Sequence, residues 1–251
     1  MSGSSAVVAA ALTPGFEVEF VDESGERQRV SLASCHGAAF ERADPVRSFP
    51  SLKGRANYLG LWWAATCGRH VGYESWAERD VAMMLDFDSL VTAFSSQPFW
   101  LRWHDGRRAR RHAPDFFARR ADGAGLVVDV RPDDLVDQAA AESFAVMATA
   151  CAEAGWEFQR TGGPPAVLTA NVRWLAGYRH PRCLRPDTAE ALAGALGEPR
   201  PLLAAAEAAG EPIAVLPVLY HLMWRNVIVA DLESAPLGPG TVVSLAGEWR
   251  R

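Results

Sequence analysis

Two aspartates stand in unusual settings within RRHAPDFFARRADGAGLVVDVRP, residues 110–132. Asp115 is held in the segment APDFF, and Asp129 directly follows the apolar run LVV. An ionised carboxylate in an apolar strand costs several kcal/mol unless it is paired. The pattern therefore predicts a partner that compensates for the charge, and the chemistry of that partner decides the function.

A divalent cation is one partner that would compensate for both charges. The turn around Gly123 predicts antiparallel strands in which Asp115 lies opposite residues 129–131, so that the two carboxylates converge. Like charges at that separation repel, so one acid is protonated or a cation bridges them. Mg²⁺ takes oxygen ligands, keeps several waters and uses phosphate oxygens, and Mn²⁺ is expected to substitute for it. Glu78, on a helix predicted for residues 74–88, can reach the same point. Such a metal polarises a phosphodiester and lowers the pKa of a bound water.

The same residues also have a purely structural interpretation. Asp115 is then a turn residue, Asp129 an acid at the end of a strand, and Arg131 the salt-bridge partner of Asp129. Strand alternation places Asp129 and Arg131 on one face, which suits both interpretations. Spacing alone does not separate them.

A basic run lies just before the aspartates. Its members are Arg107, Arg108, Arg110 and Arg111. Beside a metal they would hold DNA phosphates, each adding salt-dependent affinity; the alternative is a solvated hairpin turn. Gln97, at the end of a strand, is predicted either to contact the DNA backbone or orient a water, or to pack as a strand end. His70 and His112 are candidate general acids for the leaving oxygen or simply hydrogen-bonded surface groups.

The elements that must position these residues form an α/β pattern. A helix at 74–88 is followed by three meandering strands, a helix at 135–154 and a short strand. A helix between the last two strands implies a right-handed crossover and a mixed sheet flanked by helices. A β-hairpin is predicted at 16–34. We assign residues 1–165 to this hairpin plus α/β domain, and residues 166–251 to a smaller, mostly helical, winged-helix-like domain, with Pro217 placed near the first turn of its last helix.

Composition limits the classes of protein to consider. The chain has 251 residues and a net charge of −5, which excludes a globally basic nucleic-acid coat but not a local basic surface. Four scattered cysteines without a CxxC pair predict neither a zinc ribbon nor a disulfide framework. No apolar stretch reaches the roughly 18 residues of a membrane span, and the N-terminus lacks the basic region of a signal peptide. We therefore expect a cytoplasmic protein with no membrane partner.

Four motifs occur in an order that resembles a known family. ESWAE, SQPFWL, RHAPDFFARR and VVDVRP are similar to the TnsA-type endonuclease subunit of heteromeric transposases, particularly its actinobacterial-type branch. The upstream PVRSFPSLKGRANYLGLWWAATCGRHVGYES also resembles that branch, and the similarity covers roughly residues 40–175. The family has the PD-(D/E)xK, restriction-endonuclease-like fold. The resemblance therefore implies a Mg²⁺-dependent DNA endonuclease.

The resemblance implies a role for each matching residue. Glu78 falls on the helix glutamate, with Glu74 as a nearby competitor, Asp115 on the P-D aspartate and Asp129 on the acid of the (D/E/Q)-x-K element. Arg131 occupies the lysine position, which departs from the pattern. Arginine stabilises developing negative charge but does not lose its proton near neutral pH. An active nuclease, a catalytically impaired DNA- and protein-docking adaptor and a standalone restriction or repair nuclease all stay open.

The family also implies partners. TnsA-like subunits cut the 5′ ends of the element, while a DDE (TnsB-like) transposase cuts the 3′ ends. An AAA+ (TnsC-like) ATPase regulator contacts the endonuclease through its winged-helix-like region. The implied substrate is double-stranded DNA at the transposon ends. Residues 170–251 resemble the family only loosely.

Overall fold

The structure is a computed structural model that describes residues 15–22, 24–47 and 58–247. The N-terminal segment considered above as a signal peptide lies outside the described residues. The described chain contains both helices and strands in alternation, as predicted for an α/β protein. Its helices are α1 (Trp76–Phe87), α2 (Gln138–Ala154), α3 (Ala166–Ala176), α4 (Pro186–Ala195), α5 (Leu202–Ala209) and α6 (Pro212–Trp224).

A mixed four-stranded sheet forms the centre of the first half. It is built from β5 (Val91–Ser96), β8 (Phe116–Arg120), β9 (Gly125–Val130) and β10 (Glu157–Thr161), in the order β10-β9-β8-β5. The neighbours β5 and β8, and β8 and β9, are antiparallel, whereas β9 and β10 are parallel. The helix α2 connects the parallel pair, so the predicted crossover and mixed sheet are confirmed.

Helices cover both faces of this sheet because its strands alternate between two apolar sets. On one face Phe116 and Val128 pack with Val81 of α1. On the other face Phe117 and Val127 pack with Met147 of α2 and with the ring of Phe40. Successive side chains of a strand point to opposite faces, so each strand supplies both cores.

A second sheet adjoins the first because the chain passes directly from one sheet to the other at two places. It has the order β2-β1-β6-β7, from β1 (Glu17–Val21), β2 (Arg27–Ser31), β6 (Phe99–His104) and β7 (Ala109–His112). The hairpin predicted at 16–34 is confirmed as β1 and β2. Two strands that the sequence predicts as continuous are each interrupted, the first at Gln97 and Pro98 and the second around Pro114. Proline has no N–H for the strand ladder, and Gln97 has a φ of 47°, so both strands bend there.

Local capping fixes both helices that flank the central sheet. The helix α1 begins after Ser75, whose Oγ accepts the N–H of Glu78, so it starts two residues later than the predicted residue 74. The helix α2 begins three residues later than predicted, because residues 133–135 form a 3₁₀ turn and Asp137 then caps Ala140. It ends at Gly155, whose φ of 70° is the left-handed conformation expected after a helix.

The second half is mostly helical and ends in a β-wing, as predicted. After α3 and α4 come β11 (Arg200–Pro201), α5, α6, β12 (Ile228–Ala230) and β13 (Val242–Leu245), and the small sheet has the order β11-β13-β12. Its core includes Met83 of α1, so α1 packs against both halves. The placement of Pro217 near the first turn of α6 is wrong: Pro212 takes the first position, and Pro217 lies inside the helix.

Three further features complete the fold. An antiparallel hairpin of β3 (Gly60–Ala64) and β4 (Arg69–Tyr73), which the sequence showed only as an aromatic patch, packs beside α1. All four cysteines are free thiols. Within the described ranges, no single helix is long and apolar enough to cross a membrane; α5 and α6 reach that length together, but a bend of 119° separates them.

Candidate metal centre

Asp115 and Asp129 face each other across two strands, as the sequence predicts. The β8–β9 register pairs Phe116 with Val128, so the next position outward pairs the two aspartates. Hydrogen bonds cross in both directions: Asp115 Oδ2 accepts the Val130 N–H at 2.7 Å, and Asp129 Oδ1 lies 3.4 Å from the Asp115 backbone nitrogen. The short turn after β8 and strand alternation are sufficient to bring these carboxylates together.

The environment of Asp115 opposes its charge. Burial raises the pKa of this carboxyl well above its ordinary value of 3.8, and the nearby charges of Asp129 and Glu78 raise it further. The N–H of Val130 and the guanidinium of Arg47 act in the opposite direction. Asp115 keeps some contact with solvent although protein surrounds it closely. A metal-free site therefore favours a proton on this acid.

Glu78 completes the acidic group from the first turn of α1. Its Oε1 accepts the hydroxyl of Ser75 at 3.0 Å, and its Oε2 accepts the N–H of Glu74 at 2.7 Å. This is a variant of the capping box in which Glu78 accepts the N–H of the residue before the N-cap, so Glu78 also has a structural role at the start of the helix. Burial raises its pKa and Glu74 adds to the increase, while its hydrogen bonds and Arg47 oppose it.

His112 binds the second aspartate directly. Its Nε2 lies 3.0 Å from Oδ1 and 2.9 Å from Oδ2 of Asp129, which is only 2% exposed. His112 is thus neither a free surface group nor remote from the acids. The charge of Asp129 also reaches α2: burial, and secondarily Asp129, raise the pKa of Cys151 to about 12, so this thiol stays protonated at neutral pH. His70 is exposed on β4.

Arg131 does not share the surroundings of Asp129. The strand β9 ends at Val130, and the Nε of Arg131 then donates to the carbonyl of Leu135 at 3.0 Å. Arg131 is exposed whereas Asp129 is buried. The predicted common face therefore ends where the chain leaves the sheet, and the side chain that hydrogen-bonds to Asp129 is His112 rather than Arg131.

The four arginines of the basic run lie in different surroundings. Arg107 and Arg108 lie in the exposed turn at the far end of the β6–β7 hairpin, where their N–H groups donate to Asp105. Arg111 stacks on Trp100, with its guanidinium carbon 4.2 Å from the ring centre. Arg110 alternates with Arg111 and so shares the strand face of His112; it approaches Asp105 at 3.5 Å and Glu142 at 3.9 Å. A DNA contact by these four arginines stays a prediction.

Two acceptor atoms on residues whose backbone N–H groups donate to the acids have no donor within the described part of the chain. They are Oε1 of Gln97 and Oε1 of Glu74, both buried. Gln97 is 1% exposed, and its backbone N–H donates to the carbonyl of Asp115 at 3.0 Å. Its positive φ is costly for a residue other than glycine, and such strain is concentrated at functional sites. An oxygen-rich site with unsatisfied acceptors fits Mg²⁺ better than a softer metal.

The acids do not already stand as a ligand set. Among the described residues, no three His, Cys, Asp or Glu side chains are arranged to hold a metal ion. Each acid instead binds protein: Asp115 the N–H of Val130, Asp129 the ring of His112, and Glu78 the start of its own helix. Binding a cation here requires at least one of these hydrogen bonds to be exchanged.

The sequence alone did not indicate Arg47 as a residue of this site. Arg47 lies in a loop before the first strand of the central sheet, and only tertiary packing brings it to Glu74, at 2.6 Å. The unsatisfied state of Gln97 depends on its burial, although its Gln-Pro context marked a strand end. His112, three residues before Asp115, was a candidate general acid in the sequence, but its contact with Asp129 was not predicted.

Comparison with known proteins adds no relative. No protein-family model matches the chain, and no curated protein matches it significantly.

Proposed function

We propose that this chain is a Mg²⁺-dependent DNA endonuclease subunit of a TnsA-like transposition system. It hydrolyses phosphodiester bonds at the 5′ ends of the element, on a restriction-endonuclease-like sheet. The observation that carries the proposal is the pair of aspartates that face each other at the end of the mixed sheet, with a raised pKa at Asp115 and a charge contribution from Glu78. The order of motifs in the sequence supports the same conclusion.

The residues present suit a phosphodiesterase. Asp115, Asp129 and Glu78 would hold Mg²⁺ or Mn²⁺, which would supply Lewis-acid polarisation of the phosphate and a water of lowered pKa. In the reaction a water oxygen bonds to phosphorus and the bond to the leaving ribose oxygen breaks. One proton of the water passes to solvent, and the leaving oxygen gains one.

The chain's own contribution is to hold these acids in place. The N–H of Val130 fixes the direction of Asp115, and His112 fixes the direction of Asp129. Such supporting hydrogen bonds orient metal-binding side chains. Ser75 restrains Glu78 in the same way.

The second half supports a role in binding protein. Its order of helix, strand, two helices and two strands, with the sheet order β11-β13-β12, supports the winged-helix interpretation. In that fold α6 would be the helix that reads DNA, yet it has no lysine or arginine and exposes Ile213 to 81%. Nearby, Trp174 is 55% exposed and belongs to a cluster of aromatic rings with Tyr178 and Tyr220. An apolar surface of this kind suits a protein partner such as the AAA+ regulator better than a phosphate backbone.

The test is cleavage at the element ends in the presence of the partner DDE transposase. Asp115→Ala and Asp129→Ala are each expected to abolish Mg²⁺-dependent nicking. Asp137→Asn is the control, because this exposed acid caps α2 and asparagine caps a helix equally well. Undiminished cleavage by either alanine variant would refute the proposal.

A second function is favoured by two observations. Arg131 points to Leu135, and Glu78 is occupied in the capping box, as expected of a DNA- and protein-docking adaptor that keeps a nuclease-like fold without catalysis. If the chain is such an adaptor, titration with Mg²⁺ or Mn²⁺ gives no heat of binding, and the Asp115→Ala variant assembles the complex normally. A binding isotherm that is present in the wild type and absent in that variant excludes it. A standalone nuclease differs from the first proposal by cutting DNA without a transposase.

A further inference from the structure

Arg47 lies between two parts of the candidate metal centre: Glu74 and Glu78 at the start of α1, and Gln97 and Asp115 beside the central sheet. Its guanidinium Nη2 donates to Oε2 of Glu74 at 2.6 Å, and the N–H of Glu74 donates to Glu78 at 2.7 Å. On the other side, the N–H of the preceding Val46 donates to the carbonyl of Gln97 at 2.9 Å. The N–H of Gln97 in turn donates to the carbonyl of Asp115 at 3.0 Å. Four hydrogen bonds thus connect Glu78 of α1 with Asp115, which directly precedes β8, through this one arginine and its neighbour.

Acidic side chains predominate around the candidate metal centre. Four carboxylates lie there, those of Glu74, Glu78, Asp115 and Asp129. Arg47 acts on two of them, since it lowers the pKa of both Asp115 and Glu78 against the effect of burial. Its side chain is 36% exposed, so Arg47 is accessible from solvent. Arg131, by contrast, places its Nε on the carbonyl of Leu135.

We propose that Arg47, rather than Arg131, is the cation that contacts the DNA phosphate at this centre. The inference rests on the proposed nuclease function and assigns the positive charge of that site to a residue outside the sequence motif. A guanidinium already paired with Glu74 on one side presents its remaining N–H groups in a fixed plane, which suits the oxygens of a phosphate. Glu74 then serves as the positioning residue for Arg47.

The experiment compares four variants of the full chain. Arg47→Ala removes the proposed contact, Arg47→Lys keeps the charge, and Arg131→Ala tests the motif position. Arg173→Ala is the matched control, because Arg173 of α3 also forms an ion pair with an acid, Asp80 of α1, at 2.9 Å. Circular dichroism and thermal melting establish that each variant is folded before it is compared.

Binding to a 20-base-pair duplex is measured by fluorescence anisotropy in Ca²⁺ over a range of salt concentrations. One lost phosphate contact reduces the slope of log K against log salt by about 0.9 and the affinity by about tenfold. Arg47→Ala is expected to show this change, Arg47→Lys to retain most of the slope, and Arg173→Ala to match the wild type. A structural role for Arg47 alone would lower stability without changing the slope.

Mg²⁺-dependent nicking, measured in parallel with the transposase present, separates the two proposals. Loss of activity that is greater in Arg47→Ala than in Arg131→Ala supports the inference. An Arg47→Ala protein that cuts and binds no worse than Arg131→Ala overturns it and leaves the nuclease function intact. A wild-type protein that does not cut refutes the nuclease function itself, whereas the salt slopes still test the phosphate contact.

Discussion

Replacing Asp115 by Asn should stabilise the metal-free protein at neutral and alkaline pH. Asn keeps the shape of the side chain, and its Oδ1 can still accept the N–H of Val130, which lies 2.7 Å from Asp115 Oδ2. Its NH₂ group can donate to Asp129, which faces it across the strand pair. The substitution therefore removes a charge that burial and two neighbouring acids oppose, and it leaves the packing unchanged.

The size of the gain follows from the strand pairing. Cβ atoms of directly opposite residues lie about 5 Å apart. Two unit charges at about 5 Å repel by about 3 kcal/mol at an effective dielectric constant of roughly 20. The solvent contact that Asp115 retains lowers this figure, so we expect a gain of about 1–3 kcal/mol in the free energy of unfolding. For a chain of this size that corresponds to an increase in Tm of about 2–10 °C.

The sign of the pH dependence is fixed by the direction of the shift. Because the pKa of Asp115 is raised above 3.8 in the folded state, the folded protein holds a proton that the unfolded chain has lost. Stability therefore falls as pH rises from 3.8 towards the raised pKa, by up to about 1.4 kcal/mol per pH unit. The difference between Asp115→Asn and the wild type should be small at acid pH and grow as the pH rises.

The assay is urea denaturation in EDTA at pH 5, 6.5 and 8, with Asp86→Asn as the control. Asp86 is also buried, but it accepts N–H groups from Trp62, Ala65 and Thr66. The same substitution there should destabilise by about 1–3 kcal/mol, because an amide has one acceptor oxygen and its NH₂ would face donors. A loss of stability in Asp115→Asn, or a gain that is the same at all three pH values, would refute the reasoning.

Three further predictions concern the metal and the fold. Mg²⁺ or Mn²⁺ at about 100 times its Kd should add about 2.7 kcal/mol to the free energy of unfolding of the wild type and nothing to that of Asp115→Asn, as measured by thermal melting. Equal stabilisation of both proteins would contradict a metal site at Asp115. Phe40→Ala should lower the free energy of unfolding by about 3–5 kcal/mol in urea titrations, because this ring is 1% exposed and contacts four other aromatic rings. A decrease below about 1 kcal/mol would show that the core refills the cavity. Gly155→Ala should lower the free energy of unfolding by about 1–2 kcal/mol from backbone strain alone, since no atom lies within 4 Å of the added Cβ. An unchanged midpoint of urea denaturation would rule this out.

Local sequence was sufficient for the parts of the fold and site that depend on short separations. The cap at Ser75 set the start of α1, and the turn after β8 set the register that pairs Asp115 with Asp129. Alternation of side chains then gave both faces of the central sheet an apolar core. Such features follow from the sequence because backbone hydrogen bonding and strand periodicity act over a few residues.

Only the tertiary structure decided which groups surround the two aspartates. Arg47 reaches Glu74 from a distant loop, His112 takes both oxygens of Asp129, and Arg131 turns to the carbonyl of Leu135 instead of following its strand. No periodicity encodes these contacts, because they depend on where a loop packs and where a strand leaves its sheet. The sequence by itself thus determined that two carboxylates meet, whereas packing between distant segments determined which cation and which histidine stand beside them.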